Sequence, residues 1–186
     1  DHDFAATARS IVSSGTAPLK LIIENNKFTK ENEFSYNIIE VSGSLVDGSR
    51  ITGNTFDAKC CTHNQISLYG VEDDAVIRIE DNQCVRSANM VRLGFKGDPH
   101  CVVELNDNSY VETDADPSWA GLVLIQPYGT ATTTFANMTG KINRTTKPEG
   151  QLCYLYNGTK DMQFNDTNKP TVMVDGVVVT VPVANN

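Results

Sequence analysis

The chain has no long hydrophobic run. No stretch approaches 18 consecutive apolar residues, so no segment is expected to span a membrane as a helix. Aromatics are scarce, at 8% with a single Trp, and a core must therefore be mostly aliphatic. Basic residues are in the minority, with 15 Lys and Arg against 23 Asp and Glu and a net charge of −8. Without a basic stripe to displace counterions, the sequence predicts no nucleic acid and no anionic membrane surface among its partners. The opening DHDFAATARS carries no signal-peptide pattern, so a processed protein or a cut fragment is the expected origin.

Cysteine motifs are missing as well. The five cysteines, Cys60, Cys61, Cys84, Cys101 and Cys153, are odd in number and fit no zinc or redox spacing. They are expected to be free and mostly buried, which suits folding in a reducing host cytoplasm. No metal and no cofactor is expected. What remains is a chain of 186 residues with 40% apolar and 20% charged residues, enough for one folded domain.

A repeat organises that domain. LIIENNKF (21–28), SRITGNTF (49–56), VIRIEDNQC (76–84) and VVELNDNSY (102–110) share one phrase: aliphatic, two residues, Asn, one residue, bulky. The shared residues are Ile23/Asn26/Phe28, Ile51/Asn54/Phe56, Ile79/Asn82/Cys84 and Leu105/Asn108/Tyr110. The asparagines are spaced 54−26 = 28, 82−54 = 28 and 108−82 = 26. A second series runs out of phase with the first: NIIEVSG (37–43), QISLYG (65–70), NMVRLGF (89–95), GLVLIQP (121–127) and LCYLYNG (152–158).

Each segment alternates apolar and polar residues, so one face is buried. Short strands at a constant period of about 27 residues predict a coil of stacked parallel strands. In such a coil, equivalent side chains of successive turns touch. Asn26, Asn54, Asn82 and Asn108 are therefore expected at left-handed bends, with their amides bonding from turn to turn as a structural ladder. Ile23, Ile51, Ile79 and Leu105 should form one apolar column, and Val41, Leu68 and Leu93 another. Cys84 should replace the aromatic of Phe28 and Phe56.

The fold class expected is all-β: a right-handed single-stranded parallel β-helix of about five to six coils with a short N-terminal capping helix. Residues 1–18 form the capping segment, with the helix at 3–14 and Asp3 as its cap. Residues 19–168 form the β-helix, and 169–186 a C-terminal strand or hairpin tail turning at Asp175-Gly176. Phe135 with Met138 is assigned to the fifth rung, and Phe164 with Thr167 to the sixth.

The [Ile/Leu]-x-x-Asn-x-[bulky] rung resembles the pectin-lyase-like right-handed β-helix superfamily over residues 19–110, and more loosely over 120–170. The resemblance implies either a polysaccharide lyase or hydrolase, or a bacteriophage tailspike or capsid decoration protein. The hydrolase motifs of that superfamily are absent apart from a single Asp-Asp pair, Asp73-Asp74, and so is the lyase stretch Arg-x-Pro-x-x-Arg. Stacking would bring Glu80 near Glu104 as the one candidate carboxylate pair. The histidines, His2, His63 and His100, have no partner at ligand spacing. The acidic loop Glu112/Asp114/Asp116 lacks calcium-loop spacing. Four sequons, at Asn137, Asn143, Asn157 and Asn165, hint at a secreted eukaryotic or eukaryotic-virus source, while the unpaired cysteines point the other way.

No catalytic residue is therefore assigned, and an enzyme is disfavoured. The expected function is a non-enzymatic virion surface module, of the capsid decoration or tailspike type. Its partners would be a second and third copy of itself, a major capsid or other virion protein, and host-surface polysaccharide. The alternative is a carbohydrate-active β-helix enzyme or a secreted glycan-binding module. The outward apolar stripe Tyr69, Met90, Leu122, Leu124 and Tyr154 is the expected oligomer interface, with a trimer favoured.

Overall fold

A computed structural model describes residues 2–3, 10–34, 37–112, 123–126, 133–146, 151–157 and 163–185. The first strands are β1 (His2–Asp3), β2 (Ile11–Ser13), β3 (Pro18–Leu19), β4 (Ile22–Glu24), β5 (Lys27–Phe34) and β6 (Ile39–Leu45). Next come β7 (Arg50–Thr52), β8 (Thr55–Val71), β9 (Val76–Glu80), β10 (Gln83–Leu93), β11 (Val102–Asn106) and β12 (Ser109–Glu112). The last are β13 (Val123–Ile125), β14 (Thr139–Asn143), β15 (Cys153–Asn157), β16 (Thr171–Val174), β17 (Val177–Val178) and β18 (Val183–Asn185).

These strands wind into a parallel β-solenoid of about five turns. One sheet runs β4-β7-β9-β11-β14-β16-β17. Every pairing in it is parallel except the last, where β17 turns back on β16. The other sheet bends around a corner of the coil. The first half of β8 pairs with β5 and its second half with β6, across register shifts that mark the bend.

Alternation in the sequence produces the core. Ile23, Ile51, Ile79, Leu105, Ile142 and Val174 align in one column. Val41, Leu68, Leu93, Ile125 and Leu155 align in a second. Nearly all of these side chains are buried, and each contributes about 1.5–3 kcal/mol by leaving water. A third column is Phe28, Phe56, Cys84 and Tyr110. Its phenylalanines stack with centroids 5.1 Å apart and planes within 6°. Cys84 takes the next place as a buried free thiol.

Two local expectations are corrected. The helix over 3–14 does not form in its described part: Asp3 pairs with Thr29, and Ile11–Ser13 pairs with Ile39–Val41. Pairing to β6 sets Ile11 against Ile39, and the tertiary ladder overrides a weak helical periodicity. Residues 4–9 lie outside the described residues. The fifth rung is Ile142 with Thr145, and the sixth begins at Val174; Phe135 and Met138 are core residues at the corner that precedes β14. Phe135 packs on Phe164 with ring centroids 5.8 Å apart.

At the C-terminal end, Val179 donates to the Val172 carbonyl, and Leu155 to that of Pro182. The segment between crosses the last rung. It is flanked by a cleft of about 320 Å³ and another of about 200 Å³.

Candidate functional site

The bend before each ladder asparagine is left-handed, but the asparagine itself is not the left-handed residue. Positive φ falls one position earlier, at Asn25 (57°), Gly53 (68°), Asp81 (54°), Asp107 (55°), Arg144 (45°) and Asp175 (46°). This corrects the expected role of the ladder. The preceding residue supplies the backbone bend, and Asn or Asp takes it at four of the six positions because these side chains tolerate it best. The next residue is then free to use its amide.

Asn54 Oδ1 accepts the Asn26 backbone N–H at 2.9 Å, and Asn54 Nδ2 donates to the Ile23 carbonyl at 3.0 Å. Asn82 does the same to Asn54 and Ile51, and Asn108 to Asn82 and Ile79. Asn54, Asn82 and Asn108 are each 1% exposed. In the fifth rung Thr145 takes the position, its Oγ1 at 3.4 Å from the Leu105 carbonyl.

A second column of buried asparagines stands on the other sheet, without the continuous amide ladder of the first, since Asn64 Oδ1 accepts no hydrogen bond among the described residues. Asn37, Asn64 and Asn89 are buried, Asn89 pairs with Asn64, and the Asn64 N–H donates to Asn37 Oδ1 at 3.2 Å. The signal was an asparagine two residues before each of the aligned core residues Ile39, Ile66 and Val91.

Of the residues expected at an interface, Tyr69 lies on β8, Leu124 on β13 and Tyr154 on β15, and Ser67, in the same row of the sheet, is fully buried. Ser67, Arg92, Leu124 and Tyr154 follow one another across the turns. Tyr69 stands beside them, half-buried, with the Arg92 guanidinium 5.3 Å from its ring centroid. Gly94 makes room for that ring: a Cβ there would come within 2.9 Å of Tyr69 Cδ1. Tyr154 and Tyr156 are also half-buried.

Met90 is a correction, because it is fully buried and cannot meet a partner. Asn89 pairs with Asn64 and Val91 with Ile66, which sets Met90 beside the buried Gln65 at a corner covered on both sides. Leu122 lies outside the described residues, and so does the side chain of Leu124.

The seven-stranded sheet presents charges that neutralise one another from turn to turn. Arg50 Nε lies 2.6 Å from Glu24 Oε1. Glu104 sits between Arg78 at 3.3 Å and Lys141 at 3.1 Å. Arg144 binds Asp107 through two nitrogens, and this contact holds the Asp107 carboxyl below its ordinary pKa. Glu80 and Glu104 do not align: Glu80 pairs with Asn106, and Glu104 with Arg78. The register is offset by two residues, and Glu104 is held between cations instead of facing Glu80.

Among the described residues, no cluster of His, Cys, Asp and Glu fits a metal ion. Residues 114 and 116, like the side chain of Glu112, lie outside the description. Asp98 and His100 meet Asn137 Nδ2 at the surface, at 3.0 and 3.1 Å. Burial pushes the Cys153 thiol up to about 12. Burial, helped by the nearby Asp73 charge, does the same to Cys101, so neither offers a thiolate at neutral pH.

No family model matches the chain, and no match is found among curated proteins or among solved structures.

Proposed function

We propose that the chain is a non-enzymatic structural module of a virion surface, of the decoration or tailspike type, working as a homo-oligomer with a trimer favoured. The coil is read as right-handed, the hand that parallel crossovers take. The supporting observation is the contrast between its outward faces. One sheet carries charges already paired within the chain, which suits a stable, unreactive scaffold. The other carries Tyr69, Arg92, Tyr154 and Tyr156, the residue types that dominate protein contact surfaces.

Light scattering at micromolar concentration tests this reading. The expected mass is that of three chains, 3 × 20.3 = 60.9 kDa. A monomer at that concentration overturns the oligomer and the interface built on it.

A second reading, a glycan-binding attachment face, is favoured by the same Arg92–Tyr69 pair, since an aromatic ring beside a cation also suits a sugar ring. Glycan-array binding lost on Tyr69→Ala and Arg92→Ala supports it, and absence of binding removes it.

A further inference from the structure

The corners that lead into β11 and β14 meet at the surface. Val102 pairs with Thr139, so His100 and Asn137, each two residues earlier, stand at one level of the coil. Backbone bonds fix both corners. Thr134 N–H bonds the Gly97 carbonyl at 2.8 Å, Asp74 N–H that of His100 at 2.7 Å, and Thr139 N–H that of Cys101 at 2.9 Å. Cys101, Phe135 and Met138 anchor the two segments in the core. Pro99, between Asp98 and His100, narrows the backbone freedom of the loop.

Three acceptors converge there on one donor. Asn137 Nδ2 lies 3.0 Å from Asp98 Oδ1, 3.1 Å from Asp98 Oδ2 and 3.1 Å from His100 Nε2. An amide has two N–H bonds and cannot serve three acceptors in straight geometry. Among the described residues the Asp98 carboxylate pairs with no Lys or Arg; its partners are this neutral amide and the His100 ring. Asn137 Oδ1 accepts no hydrogen bond among the described residues, so turning the amide over breaks only the bonds of Nδ2.

The spacing is that of metal ligands. Asp98 Oδ2 and His100 Nε2 are 3.4 Å apart, and each is 3.1 Å from the Asn137 amide nitrogen. Ligand atoms about 2.1 Å from an ion are about 3.0 Å apart in an octahedron and about 3.4 Å apart in a tetrahedron. Half a turn about the Cβ–Cγ bond of Asn137 puts Oδ1 near the place of Nδ2, and the triangle becomes one face of a coordination polyhedron. The side chains of His100 and Asp98 are 53% and 45% exposed, so an ion and its waters have access from solvent. Counting only His, Cys, Asp and Glu leaves two donors here. The third is an amide 37 residues beyond His100, a separation that no ligand spacing in the sequence betrays.

We propose that Asp98, His100 and Asn137 bind one divalent ion of the zinc and copper class, clamping two successive turns of the coil at the surface. His100 Nε2, with the ring proton on Nδ1, an Asp98 oxygen and Asn137 Oδ1 are the protein ligands, and water completes the shell. One imidazole beside two oxygens suits these borderline metals. Calcium takes about six to eight oxygens, which three ligands of this kind do not supply. Magnesium holds its waters and gains nothing from the imidazole.

Zinc chloride in a non-chelating buffer is the probe. It is titrated into the nitrogen-15-labelled chain while NMR follows the ring nitrogens of His2, His63 and His100, assigned from His2→Gln, His63→Gln and His100→Gln. The Nε2 resonance of His100 is expected to shift and to saturate at submillimolar zinc. Asp98→Asn should weaken that binding at least about tenfold, as loss of a ligand does. Asn137→Asp should tighten it at least about fivefold, because a carboxylate replaces the amide oxygen. The same variant should melt lower without zinc, because two carboxylates then face each other. A hydrogen-bonded trio with no affinity for metal would give the lower melt without the tighter binding. Thermal melts confirm that each variant is folded. The proposal is overturned if His100 does not shift up to millimolar zinc, if magnesium shifts it as zinc does, if folded Asp98→Asn binds as the wild type does, or if folded Asn137→Asp binds no more tightly.

Discussion

Asn82 Oδ1 receives two donors from Asn54, the backbone N–H at 2.9 Å and Nδ2 at 3.0 Å. A single buried oxygen thereby ties two successive turns, and the cost of losing it depends on where in the coil it sits.

Asn82→Ala should destabilise the chain by about 1–3 kcal/mol, because it strands the Asn54 N–H and the Ile51 carbonyl in the interior. Asn26→Ala should cost well under 1 kcal/mol, since that residue is exposed to water. Urea denaturation of the two variants measures the difference. Equal losses would contradict the graded ladder.

Gly53 has φ of +68°, and a Cβ there would lie 2.5 Å from Asn25 Oδ1. Gly53→Ala should therefore destabilise by about 1–3 kcal/mol through strain and displacement of Asn25. Gly97, also at positive φ, has nothing within 4 Å of an added Cβ, so Gly97→Ala should cost less. Paired thermal melts test the ordering.

The buried thiols set an alkaline limit. Cys101 and Cys153 have folded pKa values pushed up to about 12 from 9.0. An unfolded chain ionises these thiols first, so their contribution is intact below pH 9 and is lost as pH rises towards 12. The slope is about 1.4 kcal/mol per pH unit for each thiol. Cys153→Ala should flatten it, as followed by denaturation between pH 8.5 and 11. In the native state at pH 7.5, Cys84, Cys101 and Cys153 should resist a thiol reagent until the chain unfolds.

The proposed interface predicts a separation of assembly from folding. Leu124 lies between Arg92 and Tyr154 in the register of the turns. Leu124→Asp should lower the mass seen by light scattering while leaving the melting transition within a few degrees. A variant that keeps the oligomer would move the contact to another face.

Periodicity alone determined most of the coil. Spacings of 28, 28 and 26 placed Ile23, Ile51, Ile79 and Leu105 in one column and their asparagines in another, because stacked strands repeat at the period of the chain. The hydrogen-bonding capacity of Asn made a ladder the natural use for a residue recurring there.

Tertiary structure decided what depends on neighbours from distant turns. The left-handed position proved to be Asp81 and not Asn82, because the amide of Asn82 is committed to adjacent rungs. Ile11–Ser13 became a strand because β6 offered an edge to pair with. Met90 went inside because a corner is covered on both sides, whereas simple alternation treats every second residue as solvated. Rung order can be read along one chain, but which side chain meets water is set by what the other turns place over it.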